Sequence, residues 1–202
     1  MHQLRRRPAA AVLLVLFAFL TACSSGAGAR VSGDARSVPR AAASSGAPAS
    51  DRAVADPERV TIASIGVDSA LLPLGLNEDG TVEVPPADKG MTAGWYTGNP
   101  APGERGAAVI IGHNDTRYGR AVFHDLRTLR TGADIAVRDT AGATTHFTVT
   151  ATETVAKKAF PTRKVYGATT TRALRLITCD GTYDAQGHPV DNLIVYAERT
   201  GH

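Results

Sequence analysis

From Arg59 onward the chain is a succession of apolar-rich segments cut by Gly, Pro, Asn and Asp, and this punctuation limits its fold more than any other feature. Segments 60–65 and 67–76 flank Gly66, the turn Asn77-Glu78-Asp79-Gly80 precedes Val82-Glu83-Val84, and Pro85-Pro86 stops that run. Gly94-Trp95-Tyr96 leads into a Pro-rich loop, and further strands are expected at 107–111, 134–138, 146–155, 173–178 and 193–199. Residues 121–129, closed by Thr131-Gly132, form the best short-helix candidate. About eight short strands with so little helix predict an all-β fold with one or two short helices, closed or nearly closed into a barrel. The 202 residues are 43% apolar, enough for one domain with a real core plus extensions, and no internal repeat is visible.

The N-terminus reads as an export signal. Arg5-Arg6-Arg7 precedes an apolar run from Ala9 to Leu20 and then small residues before Cys23. That run makes about 18 Å of helix at about 1.5 Å per residue, short of the roughly 30 Å hydrocarbon core, so a permanent membrane span is disfavoured. Leu20-Thr21-Ala22-Cys23 resembles the lipobox of bacterial lipoproteins, which implies cleavage after residue 22 and lipid on Cys23. Ordinary signal cleavage nearby, or a disulfide from Cys23 to Cys179, are the alternatives. Residues 23–58 are almost entirely Ser, Ala, Gly, Pro and Arg with an occasional Asp, a composition that cannot offset its ordering entropy and is expected to be a disordered tether. As a flexible coil it would reach roughly 30–35 Å. The folded domain is then expected over 59–202.

The formal net charge of +3 comes from the leader, since its three arginines face no acids and the remainder is neutral. With no cationic face and a single tryptophan, Trp95, nucleic-acid binding is set aside.

Two apolar strands end on chemically active residues. Leu174-Arg175-Leu176-Ile177-Thr178-Cys179 runs into Asp180-Gly181, a turn signal that puts Cys179 at a strand exit, and Val109-Ile110-Ile111-Gly112 runs into His113. An isolated Cys is most often a small buried hydrophobe. A thiol and an imidazole at two strand ends instead suggest a nucleophile with its acid–base partner. Of the other histidines, His2 is in the leader, His202 is terminal, His124 falls in the helix candidate, and His146 and His188 flank strands. His113 and Asp115 are one residue apart, but no clustered Cys or second His at ligand spacing supports a metal.

Gly112-His113-Asn114-Asp115-Thr116, then Phe160-Pro161-Thr162 with Val165-Tyr166-Gly167, then Leu174 to Cys179 together resemble a sortase of the actinobacterial class F, and Gly94-Trp95-Tyr96 and Pro102-Gly103 fit the same pattern. The resemblance covers roughly residues 60–197. It implies an eight-stranded sortase-like β-barrel and a cysteine transpeptidase without cofactor or metal. Such an enzyme cuts an LPXTG-like sorting signal between Thr and Gly and passes the acyl group to an amine of the cell wall or a pilin. It further implies that Cys179 is the acyl-forming nucleophile and His113 the general acid and base. The implied location is the outer face of the membrane, held by lipid on Cys23.

The family's third residue is an arginine on the last strand, and here Val190 stands where it is expected. Asn192, Arg117 and Arg120 are the replacements to weigh, whereas Arg199, roughly 30 Å further along and on the opposite face, is not one. Two other cysteine enzymes of the wall fit worse. An L,D-transpeptidase would have Ser-His-Gly before its Cys, and a papain-like peptidase would have its Cys before its His. The competing function is a tethered barrel that binds wall or sorting-signal peptides with little or no turnover.

Overall fold

A computed structural model describes residues 54–187 and 189–201. The export signal, Cys23, most of the tether, His188 and His202 lie outside the described residues. The strands are β1 (Pro57–Ile62), β2 (Val67–Leu74), β3 (Ala93–Tyr96), β4 (Gly106–Ile111), the minimal hairpin β5 (Asp115–Thr116) and β6 (Gly119–Arg120), β7 (Asp134–Asp139), β8 (Thr144–Ala156), β9 (Arg172–Tyr183) and β10 (Pro189–Arg199). The expected all-β barrel is what forms: eight strands close in the order β1-β2-β3-β4-β9-β10-β8-β7. One five-residue helix, α1 (Thr162–Tyr166), stands outside it. No helix among the described residues is long and apolar enough to cross a membrane.

Alternation explains the thin side of the barrel. In β7 and the first part of β8 inward residues such as Ile135, Val137, Phe147 and Val149 are buried, while their neighbours face water. On the other side β4 is buried along its whole length, and so is β9 from Ala173 to Thr178. These strands are covered on both faces, which is why they read as continuous apolar runs. Their inner faces join the barrel core with Ile110, Leu174 and Leu176. On the outer face Val109, Ile111, Ile177 and Ile194 pack beneath Val165 of α1 and beside Phe160 and Tyr166. The candidate site is built on this doubly covered side.

The structure corrects three local expectations. Residues 121–129 form only a 3₁₀ turn at Leu126–Thr128. Ala121, Val122 and Phe123 are all buried although consecutive, which a helix with one buried face cannot provide. The amides of Val122 and Phe123 are instead spent on Gly90 O and His113 O, both at 2.9 Å. Second, β9 does not stop at Asp180-Gly181 but continues to Tyr183. Gly181 has φ +84°, and the β9–β10 register shifts between Pro189 and Asp191, so the Asp-Gly pair lies at a bulge and the hairpin turns at Asp184–Gly187. Cys179 is therefore inside a long strand. Third, Val82-Glu83-Val84 contributes one bridge, Leu76 to Val82, rather than a strand.

Candidate active site

The β4–β9 pair is parallel, and each β9 residue lies 66 positions after its β4 partner, as in Ile111 with Ile177. The same 66 positions separate His113 from Cys179. His113 follows the end of β4 by two residues, and Cys179 follows the last ladder pair, Ile111 with Ile177, by the same two residues on β9. On the other side of β9, Asn192 of β10 is the direct cross-strand partner of Cys179. Cys179 and Asn192 are thus directly paired on neighbouring strands about 4.8 Å apart, and His113 stands in the loop that leaves β4 on the other side of β9.

All three line one groove of about 660 Å³, a size suited to a short peptide segment. Ile111 and Ile177 form its apolar floor. One wall is the connection from β2 to β3, with Leu76, Thr81, Val82 and Val84. That connection is fastened to itself: Gly75 N donates to Glu83 Oε2 at 2.6 Å and Asn77 N to Thr81 O at 2.8 Å. Thr81 donates its hydroxyl and amide to Asp79, which holds the Asp79 carboxyl below the usual range.

The other wall runs from Lys157 through Phe160 and Thr162 to Tyr166. Tyr166 meets Tyr96 edge-on at 5.9 Å and Phe160 at 6.0 Å. Burial, with Tyr96 beside it, pushes the Tyr166 phenol up to about 12. The segment is anchored by Asn99, whose Nδ2 donates to Ala107 O at 2.8 Å and Tyr166 O at 3.3 Å. Lys164 holds it from outside, bonding Glu153 at 2.5 Å while lying 4.4 Å over the Tyr196 ring.

His113 is half-buried, and its Nε2 lies 2.6 Å from Pro85 O. A carbonyl oxygen only accepts, so Nε2 carries the hydrogen and Nδ1 is left with a free lone pair in the neutral ring. Behind His113, Gly112 N donates to Ile177 O and Phe123 N to His113 O. Cys179 is half-buried and a free thiol. Among the described residues no group of three or more His, Cys, Asp or Glu is positioned to hold a metal.

The candidates for the third role separate. Val190 is 37% exposed and is not part of the groove lining. Arg117 donates to Tyr118 OH and stacks 4.8 Å over that ring. Arg120 pairs with Asp125 at 2.6 Å. Asn192 alone of these four lines the groove. Sequence reasoning missed the Pro85 carbonyl, Lys157 and the Tyr96–Tyr166 contact. Pro85-Pro86 was a visible signal of a fixed backbone, but nothing in it says which side chain that backbone meets.

Residues 60–200 match the Sortase domain family. The chain belongs to the sortase family. Its barrel is similar to sortase A from Corynebacterium diphtheriae, solved as a lid mutant, with TM-score 0.57 and 20% identity over 75% of this chain and 72% of that one. It is similar to sortase C-1 from Actinomyces oris, with TM-score 0.56 and 23% identity over 71% and 73% of the two chains. A Sortase D5 transpeptidase from Clostridium perfringens gives TM-score 0.52 and 20% identity over 71% and 78%. No curated protein matches this sortase significantly in sequence.

Proposed function

We propose that this sortase is a cysteine transpeptidase of the class F kind in which Cys179 attacks and His113 shuttles the proton. The observation that carries the reading is that His113, just past the end of β4, and Cys179, on the β9 strand paired with it, line one groove. The peptide lies along the groove with its scissile carbonyl over Cys179. Nδ1 of His113 takes the thiol proton, since Nε2–H is committed to Pro85. The thiolate adds to the carbonyl carbon, and the tetrahedral intermediate collapses by breaking the C–N bond. The leaving amine takes the proton back from Nδ1, which leaves a thioester on Cys179. An incoming amine then reverses these steps and releases the thiol.

The class F motifs point to an LPXTG-like signal cut between Thr and Gly, with an amine of the cell wall or a pilin as acceptor. Lipid on Cys23 would hold the exported enzyme at the outer membrane face. The test is the intact mass of the protein after incubation with a peptide containing Leu-Pro-Glu-Thr-Gly. Expected is an adduct equal to the peptide through Thr, removed by hydroxylamine, and absent from Cys179→Ala and His113→Ala, which act as a unit. Cleavage by Cys179→Ala at the wild-type rate refutes the assignment.

A further inference from the structure

The reaction proposed above develops negative charge on the scissile carbonyl oxygen, and such a charge needs a donor aimed at the position it will occupy. A thioester-forming carbonyl sits one bond from Sγ, so the donor must come from the immediate neighbours of Cys179. Among the described residues no arginine lines the groove. Arg117 and Arg120 are engaged with Tyr118 and Asp125. Arg175 lies on β9 itself, but its Nη1 donates to Leu174 O at 3.0 Å and Ala197 O at 3.3 Å, with the guanidinium 4.9 Å over the Tyr196 ring. Lys157 lines the groove but follows β8, which lies beyond β10, so its backbone is two strands, or about 10 Å, from β9.

Asn192 meets the requirement. It is the cross-strand partner of Cys179 and lines the same groove. Directly opposed side chains in an antiparallel pair have Cβ atoms about 4.5–5.5 Å apart, and Nδ2 stands two bonds beyond its Cβ. That geometry brings an N–H to the far side of a carbonyl bonded to Sγ. Its side-chain amide makes no hydrogen bond to the other described residues, so both N–H groups are free to donate. We propose that Asn192 is the oxyanion donor of this enzyme, a neutral amide in the role the family gives to a cation; the inference rests on the assignment of Cys179 as nucleophile. Asn192 is then a catalytic residue, flanking the thiol on the side away from His113.

The test compares acyl-enzyme formation by quenched-flow mass analysis with the Leu-Pro-Glu-Thr-Gly peptide. Asn192→Ala and the isosteric Asn192→Asp, which has no N–H to offer, should each lower the maximal acylation rate by about 10²–10³-fold with the KM little changed. Asn192→Arg should restore most of it, and thermal melts establish that each variant is folded. Val190→Arg should give no gain. Wild-type rates in both Asn192→Ala and Asn192→Asp, or a loss that falls wholly on KM, overturn the proposal while leaving Cys179 in its role. A Lys157→Met variant that loses turnover while Asn192→Ala keeps it moves the donor to Lys157 and also overturns it. A wild-type protein that is never acylated removes the Cys179 assignment and this proposal with it.

Discussion

A single methyl group added at Gly112 should reach the chemistry through the packing behind His113. An ideal Cβ there would lie 2.6 Å from Phe123 Cδ2, 2.7 Å from Val122 Cγ1 and 2.9 Å from Phe123 Cε2. Carbon atoms rest about 3.5–4.0 Å apart, so the neighbours must yield by roughly 1 Å. They have little room, with Phe123 0% and Val122 5% exposed. Their amides also hold the loop, Val122 on Gly90 O and Phe123 on His113 O. Overpacking of this kind costs about 1–3 kcal/mol, and at about 2–4 °C per kcal/mol for a domain of this size the melting temperature should fall by roughly 2–12 °C. The displaced segment carries the imidazole, and a misplacement of about 1 Å lowers turnover on the order of 10²-fold. Phe123→Leu shortens the offending ring, so Gly112→Ala with Phe123→Leu should lose less stability than the two single changes together. Thermal melts and acylation rates on the four proteins complete the cycle. A Gly112→Ala protein with wild-type melting and acylation, or a cycle additive within about 0.5 kcal/mol, would refute the reasoning.

Tyr166 should ionise near 12, so absorbance titration of Tyr166→Phe should lack one phenol that deprotonates there. Its folded value lies above the unfolded value of about 10, so its contribution is complete below about pH 10 and is lost as pH rises toward 12; Tyr166→Phe should flatten that part of the stability curve. If Cys23 carries lipid, Cys23→Ala should be released into the medium or remain unprocessed, and unchanged size with full membrane retention in fractionation would exclude the anchor.

The barrel was legible because short apolar runs cut by Gly, Pro, Asn and Asp mark strands, but that Val109-Ile110-Ile111 and Leu174 to Ile177 are covered on both faces is set by α1 and the segment before it, which no strand pattern reveals. The helix expected at 121–129 failed because apolar spacing says nothing about which amides tertiary partners will claim, and here Gly90 and His113 took two of them. Asp180-Gly181 signalled a residue with positive φ, which Gly181 supplies. A bulge satisfies that signal as well as a turn does, and only the opposite strand decides between them. The same bulge hid the level of Asn192. Counting along one strand puts Val190 and Asn192 on a common face, but which of them meets Cys179 depends on the register shift after Pro189. The Pro85 carbonyl was invisible for a different reason: a backbone atom has no side-chain identity to read.

The parallel joining of β4 and β9 also governs when the groove is completed during folding. Neighbouring hairpins such as β9 with β10 close over a few residues, but β4 and β9 pair only after a 66-position excursion has returned to the strand it left. Closures of that length are late and slow because their entropy is lost before any contact compensates it. During refolding most strands can be present while β4 and β9 are still apart. Secondary structure should therefore recover ahead of the groove, which is complete only once β4 and β9 have paired.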